Sequence, residues 1–250
     1  MKLFEIPMFV MSLCAFCFLS GLDGPATYAD FAFGTSTAID TGVGCTAPSV
    51  TADGLMLFAD SNKLSGYGNY DVWVFTRKTT QDNWGAPVNL GSTVNTASME
   101  GNPCISPDGL TLFFDSDRPG GSGDRDIWVT TRATTEGPWL EPVNLGPTIN
   151  SSSLDGHVSI SADGLSLFFS SNRPGGQGDR DTWLATRETI DAPWSGLQNL
   201  GPVVNSSAYD SGPSISADGR ILFFGSARPG GYGSYDLWLN KRAITGDTWI

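Results

Sequence analysis

The sequence predicts an all-β fold, a β-propeller of four-stranded antiparallel blades made from four 55-residue repeats. Three observations carry this prediction. Asp-Gly pairs begin at Asp53, Asp108, Asp163 and Asp218 with one constant spacing. Two tryptophan series keep the same period, Trp73, Trp128, Trp183, Trp238 and Trp84, Trp139, Trp194, Trp249. An Asn-Leu-Gly segment opens at Asn89, Asn144 and Asn199, again 55 residues apart. A fixed period of this length marks a repeat architecture. Continuous apolar runs within each copy call for strands covered on both faces, as neighbouring blades cover one another. A solenoid of hairpins would need polar capping units at its ends, and the outer copies show none.

The elements follow in chain order. Residues 1–29 read as a signal peptide, with Lys2 ahead of an apolar stretch from Ile6 to Leu19 and a small-residue cleavage site at Ala29. An uncleaved N-terminal anchor is the competing reading; after cleavage no stable membrane span is expected. Residues 30–250 form the propeller domain, with repeats at about 46–100, 101–155, 156–210 and 211–250, the last incomplete. The first strand of each repeat is centred on Val50, Ile105, Ile160 or Ile215 and ends at the Asp-Gly pair, a tight turn that accepts positive φ. The second carries Leu-Phe-Phe in three copies and Leu57-Phe58-Ala59 in the first. A Gly-rich loop leads to the third strand, which starts at Asp71, Asp126, Asp181 or Asp236 and bears the first tryptophan series. The fourth contains Asn-Leu-Gly. The last copy stops at Ile250, where its fourth strand should begin. Either Phe31–Asp40 supplies that strand and closes a four-bladed ring, or the chain is part of a propeller with more blades.

Ile160-Ser161-Ala162-Asp163-Gly164-Leu165-Ser166-Leu167-Phe168-Phe169, continuing to Arg173-Pro174-Gly175-Gly176, resembles the WD40-like propeller repeat of the TolB type. The Asp-Thr-Trp and Asn-Leu-Gly segments resemble its longer blades in bacterial envelope proteins. The resemblance covers residues 46 to 250. It implies a periplasmic or extracellular protein-binding propeller, without the separate N-terminal domain of TolB.

Charge narrows the partners. With 26 acidic and 14 basic residues the formal net charge is −12, which opposes a nucleic-acid backbone. Beyond the signal segment only Cys45 and Cys104 remain, too few for a disulfide framework. A bridge between them is left open. Cys104 aligns with Ser49, Ser159 and Ser214, which favours a small buried residue instead.

Residues repeated in every blade read as scaffold, because chemistry needs its groups placed once. The turn aspartates are expected to bond neighbouring Ser hydroxyls. Arg118, Arg173 and Arg228, with Lys63 in the first copy, are expected to pair with acids such as Asp126 or Asp181. His157 is the single histidine, and neither a nucleophile-elbow motif nor a zinc motif accompanies it. The chain is therefore expected to be non-enzymatic and to need no cofactor. Structural calcium stays open, since Asp124, Asp126, Asp179 and Asp181 offer hard oxygen ligands beside the Gly-rich loops.

Specificity is expected where the repeat varies. The loops between second and third strands vary as Tyr67, Ser122, Gln177, Tyr232 and as Tyr70, Arg125, Arg180, Tyr235. The segment before each first strand varies as Ala47, Asn102, His157, Gly212. The candidate partner-binding residues are thus Tyr67, Tyr70, Arg125, His157, Arg180, Tyr232 and Tyr235, sharing one face. Tyr and Arg there suit a protein or glycan of the cell envelope. The expected role is a protein-interaction or scaffold module. A glycan-active hydrolase or lyase and an adhesive surface repeat are the alternatives.

Overall fold

The computed structural model describes residues 44–62 and 65–250. The signal peptide, the Phe31–Asp40 segment and Lys63 lie outside the described residues. The first blade contains β1 (Thr46–Val50), β2 (Met56–Ser61), β3 (Asp71–Thr76) and β4 (Val88–Asn89). The second contains β5 (Glu100–Ile105), β6 (Thr111–Ser116), β7 (Asp126–Thr131) and β8 (Val143–Asn144). The third contains β9 (Asp155–Ile160), β10 (Ser166–Ser171), β11 (Asp181–Thr186) and β12 (Ser195–Asn199). The fourth contains β13 (Asp210–Ile215), β14 (Ile221–Ser226) and β15 (Asp236–Lys241). Every blade is an antiparallel meander, four-stranded in the first three and three-stranded in the fourth among the described residues. The first strands touch in succession, β1 to β5, β5 to β9 and β9 to β13, and so line a common axis.

Each tight turn is built as its sequence demands. Gly54, Gly109, Gly164 and Gly219 all take φ near +70°. The preceding aspartate accepts the hydroxyl of Thr51, Ser106, Ser161 or Ser216 at 2.5–2.6 Å. Arg77, Arg132, Arg187 and Arg242 donate Nε to the turn glycine's carbonyl at 2.7–2.8 Å. Their guanidinium groups also stack over the second tryptophan series at 4.2–4.5 Å.

The Leu-Phe-Phe strands, with Trp128 and Trp183, fill the space between blades. Between the second and third blades, Phe113 and Ile127 of one pack with Leu167, Phe169 and Trp183 of the next. Ile127 and Phe169 have no exposed surface. The same interlock joins the first blade to the second and the third to the fourth. On β15 the matching positions, Leu237 and Leu239, are 57% and 47% exposed. Among the described residues, no strand of the fourth blade meets one of the first.

One sequence expectation about charge pairing changes here. Arg118, Arg173 and Arg228 do not pair with Asp126 or Asp181. They bond instead to Glu100, Asp155 and Asp210 at the start of the first strands, at 3.1, 2.5 and 2.8 Å. Asp126 is already engaged, accepting backbone N–H groups of Ser122 and Gly123 and the Asn144 amide. Asp181 is held in the same way by Gln177, Gly178 and Asn199. These carboxylates close their Gly-rich loops. Among the described residues no group of three His, Cys, Asp or Glu side chains is placed to hold a metal. No disulfide joins Cys45 to Cys104, and Cys104 is buried like Ser49, Ser159 and Ser214.

Candidate functional site at the axial mouth

A β-bulge in each first strand builds the centre of the molecule. The register shifts between Gly101 and Cys104, and at the matching place in β1, β9 and β13. The bulge residue takes positive φ, +46° at Ala47, +50° at Asn102, +51° at His157 and +67° at Gly212. This corrects the sequence reading, which set these four in a loop ahead of the first strand. They lie within the strands, and His157 is 6% exposed rather than displayed on a rim. Left-handed backbone is uncommon outside glycine and marks a position held by its surroundings.

What holds it is a bond to the preceding blade. The Asn102 N–H donates to Asp60 Oδ2 at 2.8 Å. The His157 N–H donates to Asp115, and the Gly212 N–H to Ser170 Oγ at 3.0 Å. Asn102 also donates its amide to both oxygens of Asp115, at 2.9 and 3.2 Å. The Thr46 hydroxyl donates to Asp60 Oδ1. Asp60 and Asp115 thus cross-link successive blades from inside. Their importance was missed at the sequence level. The available signal was the series Asp60, Asp115, Ser170, Gly225, a break directly after the apolar run of each second strand. At Gly225 the missing side chain makes room for the ring of Tyr235, whose hydroxyl reaches the Ser211 carbonyl at 3.4 Å.

Electrostatics at the axis are strongly perturbed. Burial raises the Asp115 carboxyl to about 6, against the opposing pull of Arg125 and the Asn102 bonds. Asp60 is raised by burial as well. Burial, reinforced by the positive fields of Arg180 and Arg125, lowers His157 to about 3, so its imidazole is neutral at pH 7. Burial also pushes the Tyr235 phenol upward. Arg125 stands 4.0 Å from Asp115 with its side chain 30% exposed. Arg180 is 8% exposed and stacks over Tyr209 at 4.8 Å, while Tyr209 meets Tyr235 edge-on at 5.9 Å.

The seven candidate residues therefore divide. Arg125, His157, Arg180 and Tyr235 gather at the axis. Tyr70 and Arg125 line a cavity of about 510 Å³ between the first two blades, with Asn62, Asn69, Met99 and Asp117. Tyr67 and Tyr232 sit at loop tips, both exposed, apart from the axial group. The Tyr67 tip packs closely at Gly68, where a Cβ would lie 1.8 Å from the Ser98 carbonyl oxygen.

No protein-family model and no curated protein sequence matches the chain. Solved structures do. TolB from Acinetobacter baumannii aligns at 15% identity and TM-score 0.53, over 79% of this chain and 41% of its own. An endo-arabinase from Bacteroides thetaiotaomicron aligns at 18% identity and TM-score 0.54, over 86% and 80%. An α-L-arabinofuranosidase from Podospora anserina aligns at 14% identity and TM-score 0.52, over 82% and 66%. The chain spans about two fifths of the length of that TolB.

Proposed function

From a TolB-like propeller fold, we propose that this chain is a non-enzymatic binding propeller of the bacterial cell envelope, exported through its N-terminal signal. It engages a partner protein at the axial mouth through Arg125 and Tyr70. The observation that carries this reading is the state of the axial carboxylates. Asp60 and Asp115 are 3% and 0% exposed and turn their oxygens to Thr46, Asn102 and His157. Hydrolysis needs carboxyl groups within reach of the bond to be broken, and these face protein instead. The groups presented outward are a guanidinium and a phenol, side chains that anchor interfaces well.

A photo-crosslinking residue at Tyr70 in the exported protein tests this reading. It should capture a discrete envelope protein, and Arg125→Ala should abolish the capture without altering thermal unfolding. Capture that is unaffected by Arg125→Ala would refute the axial mouth as the site.

One observation favours glycan hydrolysis as a second reading. Asp115, raised to about 6, lies in the field of Asp60, and unequal carboxyl pairs serve as acid and base in glycosidases. Release of reducing ends from a polysaccharide by the wild type, lost in Asp115→Asn, would establish it.

A further inference from the structure

We infer that the axial mouth takes a carboxylate presented by the partner protein, an acidic side chain or a C terminus, on Arg125, Arg180 and His157. The inference rests on the binding reading above and specifies its chemistry. Arg125 stands 4.0 Å from Asp115, which accepts the His157 backbone N–H, and the positive fields of both arginines fall on the imidazole. None of the three is part of the repeated scaffold, for Arg125 and Arg180 align with Tyr70 and Tyr235, and His157 aligns with Ala47, Asn102 and Gly212.

Two buried atoms point to a ligand. Arg180 Nε and His157 Nδ1 have no hydrogen-bond partner, and the residues are 8% and 6% exposed. A buried polar group left in this state costs free energy, more when it is charged. The indole nitrogens of Trp73, Trp128, Trp183 and Trp238 share the condition, but they recur in all four blades and so belong to the scaffold. Thr182 Oγ1 and Arg220 Nε share it at unrepeated positions as well; Arg180 and His157 are the pair that lie together, the charge of the one acting on the imidazole of the other. A guanidinium matches the two oxygens of a carboxylate, and a neutral imidazole adds one N–H donor. Arg125 borders the cavity and stands 4.0 Å from the axial Asp115.

The nearby acids do not already fill this role. Asp60 is committed to Thr46 and Asn102, and Asp115 to Asn102 and His157 N–H, with Arg125 only at 4.0 Å. Glycan recognition draws on open aromatic faces for stacking. Here Tyr209 and Tyr235 are occupied with one another and with Arg180, leaving Tyr70 alone in the cavity wall. A protein carboxylate fits better.

The direct test follows the arginine Nε–H resonances of the intact chain by NMR. The probes are acetyl-Gly-Ser-Gly with a free C terminus, its C-terminal amide and trigalacturonate. The free peptide should shift the Arg125 and Arg180 signals saturably, and the amide should leave them unmoved. Arg125→Gln should weaken the effect roughly 30-fold, the scale of losing one partner of a buried charge pair. Because Arg180→Gln can disturb folding, the wild-type titration decides. Equal shifts with the amide, no shift with any probe, or preference for trigalacturonate would overturn the inference. Crosslinking at Tyr70 that still depends on Arg125 would, in that event, leave the binding reading standing.

Discussion

His157 and Asp115 share a hydrogen bond from backbone to carboxylate, yet burial moves their titrations in opposite directions. The histidine falls from its ordinary 6.5 to about 3. Its contribution to stability is complete above pH 6.5 and is lost as pH drops toward 3, because the unfolded chain takes up the proton first. The aspartate rises from 3.8 to about 6. Its contribution is complete below pH 3.8 and is lost as pH climbs through 6. Between pH 6 and 4 the two slopes oppose one another. Relative to wild type, His157→Asn should therefore gain stability on acidification across this range, and Asp115→Asn should lose it. Asn suits the bulge, since Asn102 holds the same backbone at φ +50°. Urea unfolding at several pH values measures both effects, and parallel pH profiles for all three proteins would contradict the assignment of the shifts.

Turns and strands repeat because the residues that form them repeat, and this was the part the sequence made legible. The Asp-Gly turns, the third-strand start at Asp71 and its equivalents, and the burial of Trp73, Trp128 and Trp183 all follow from spacing and from the local chemistry of each residue. Gly164→Val should cost roughly 2–3 kcal/mol, since a β-branched residue at φ +71° is strained and its Cβ would meet Ile190 at 2.6 Å. Asp163→Asn keeps an oxygen for the Ser161 hydroxyl and should stay within about 1 kcal/mol of wild type. Trp128→Ala should destabilise by about 3–5 kcal/mol through the cavity it leaves between the first two blades. Chemical denaturation separates these outcomes, and a Gly164→Val protein as stable as Asp163→Asn would overturn the turn geometry. The axial site was less legible. Periodicity shows that a position varies but not which way its side chain points. It gave no sign of the bulge that turns Asn102 and His157 inward, nor of the first-strand acids that take Arg118, Arg173 and Arg228 from Asp126 and Asp181.

On the scale of the whole molecule, four blades make one constant frame and one varied centre. The frame is held by apolar interlocks and by acids paired within it. Variation is concentrated where Arg125, Arg180, His157 and Tyr235 meet, in a fold similar to those of TolB, an endo-arabinase and an α-L-arabinofuranosidase alike. Fold alone therefore does not choose between binding and turnover; the burial of Asp60 and Asp115 is what supports the proposal of binding. The deciding measurement incubates wild type and Asp115→Asn with a panel of envelope and plant polysaccharides, arabinan included, and assays reducing ends alongside Tyr70 crosslinking. Capture of the partner protein by wild type, with no release of reducing ends by either protein, is the predicted result. Release by wild type that disappears in Asp115→Asn would contradict it.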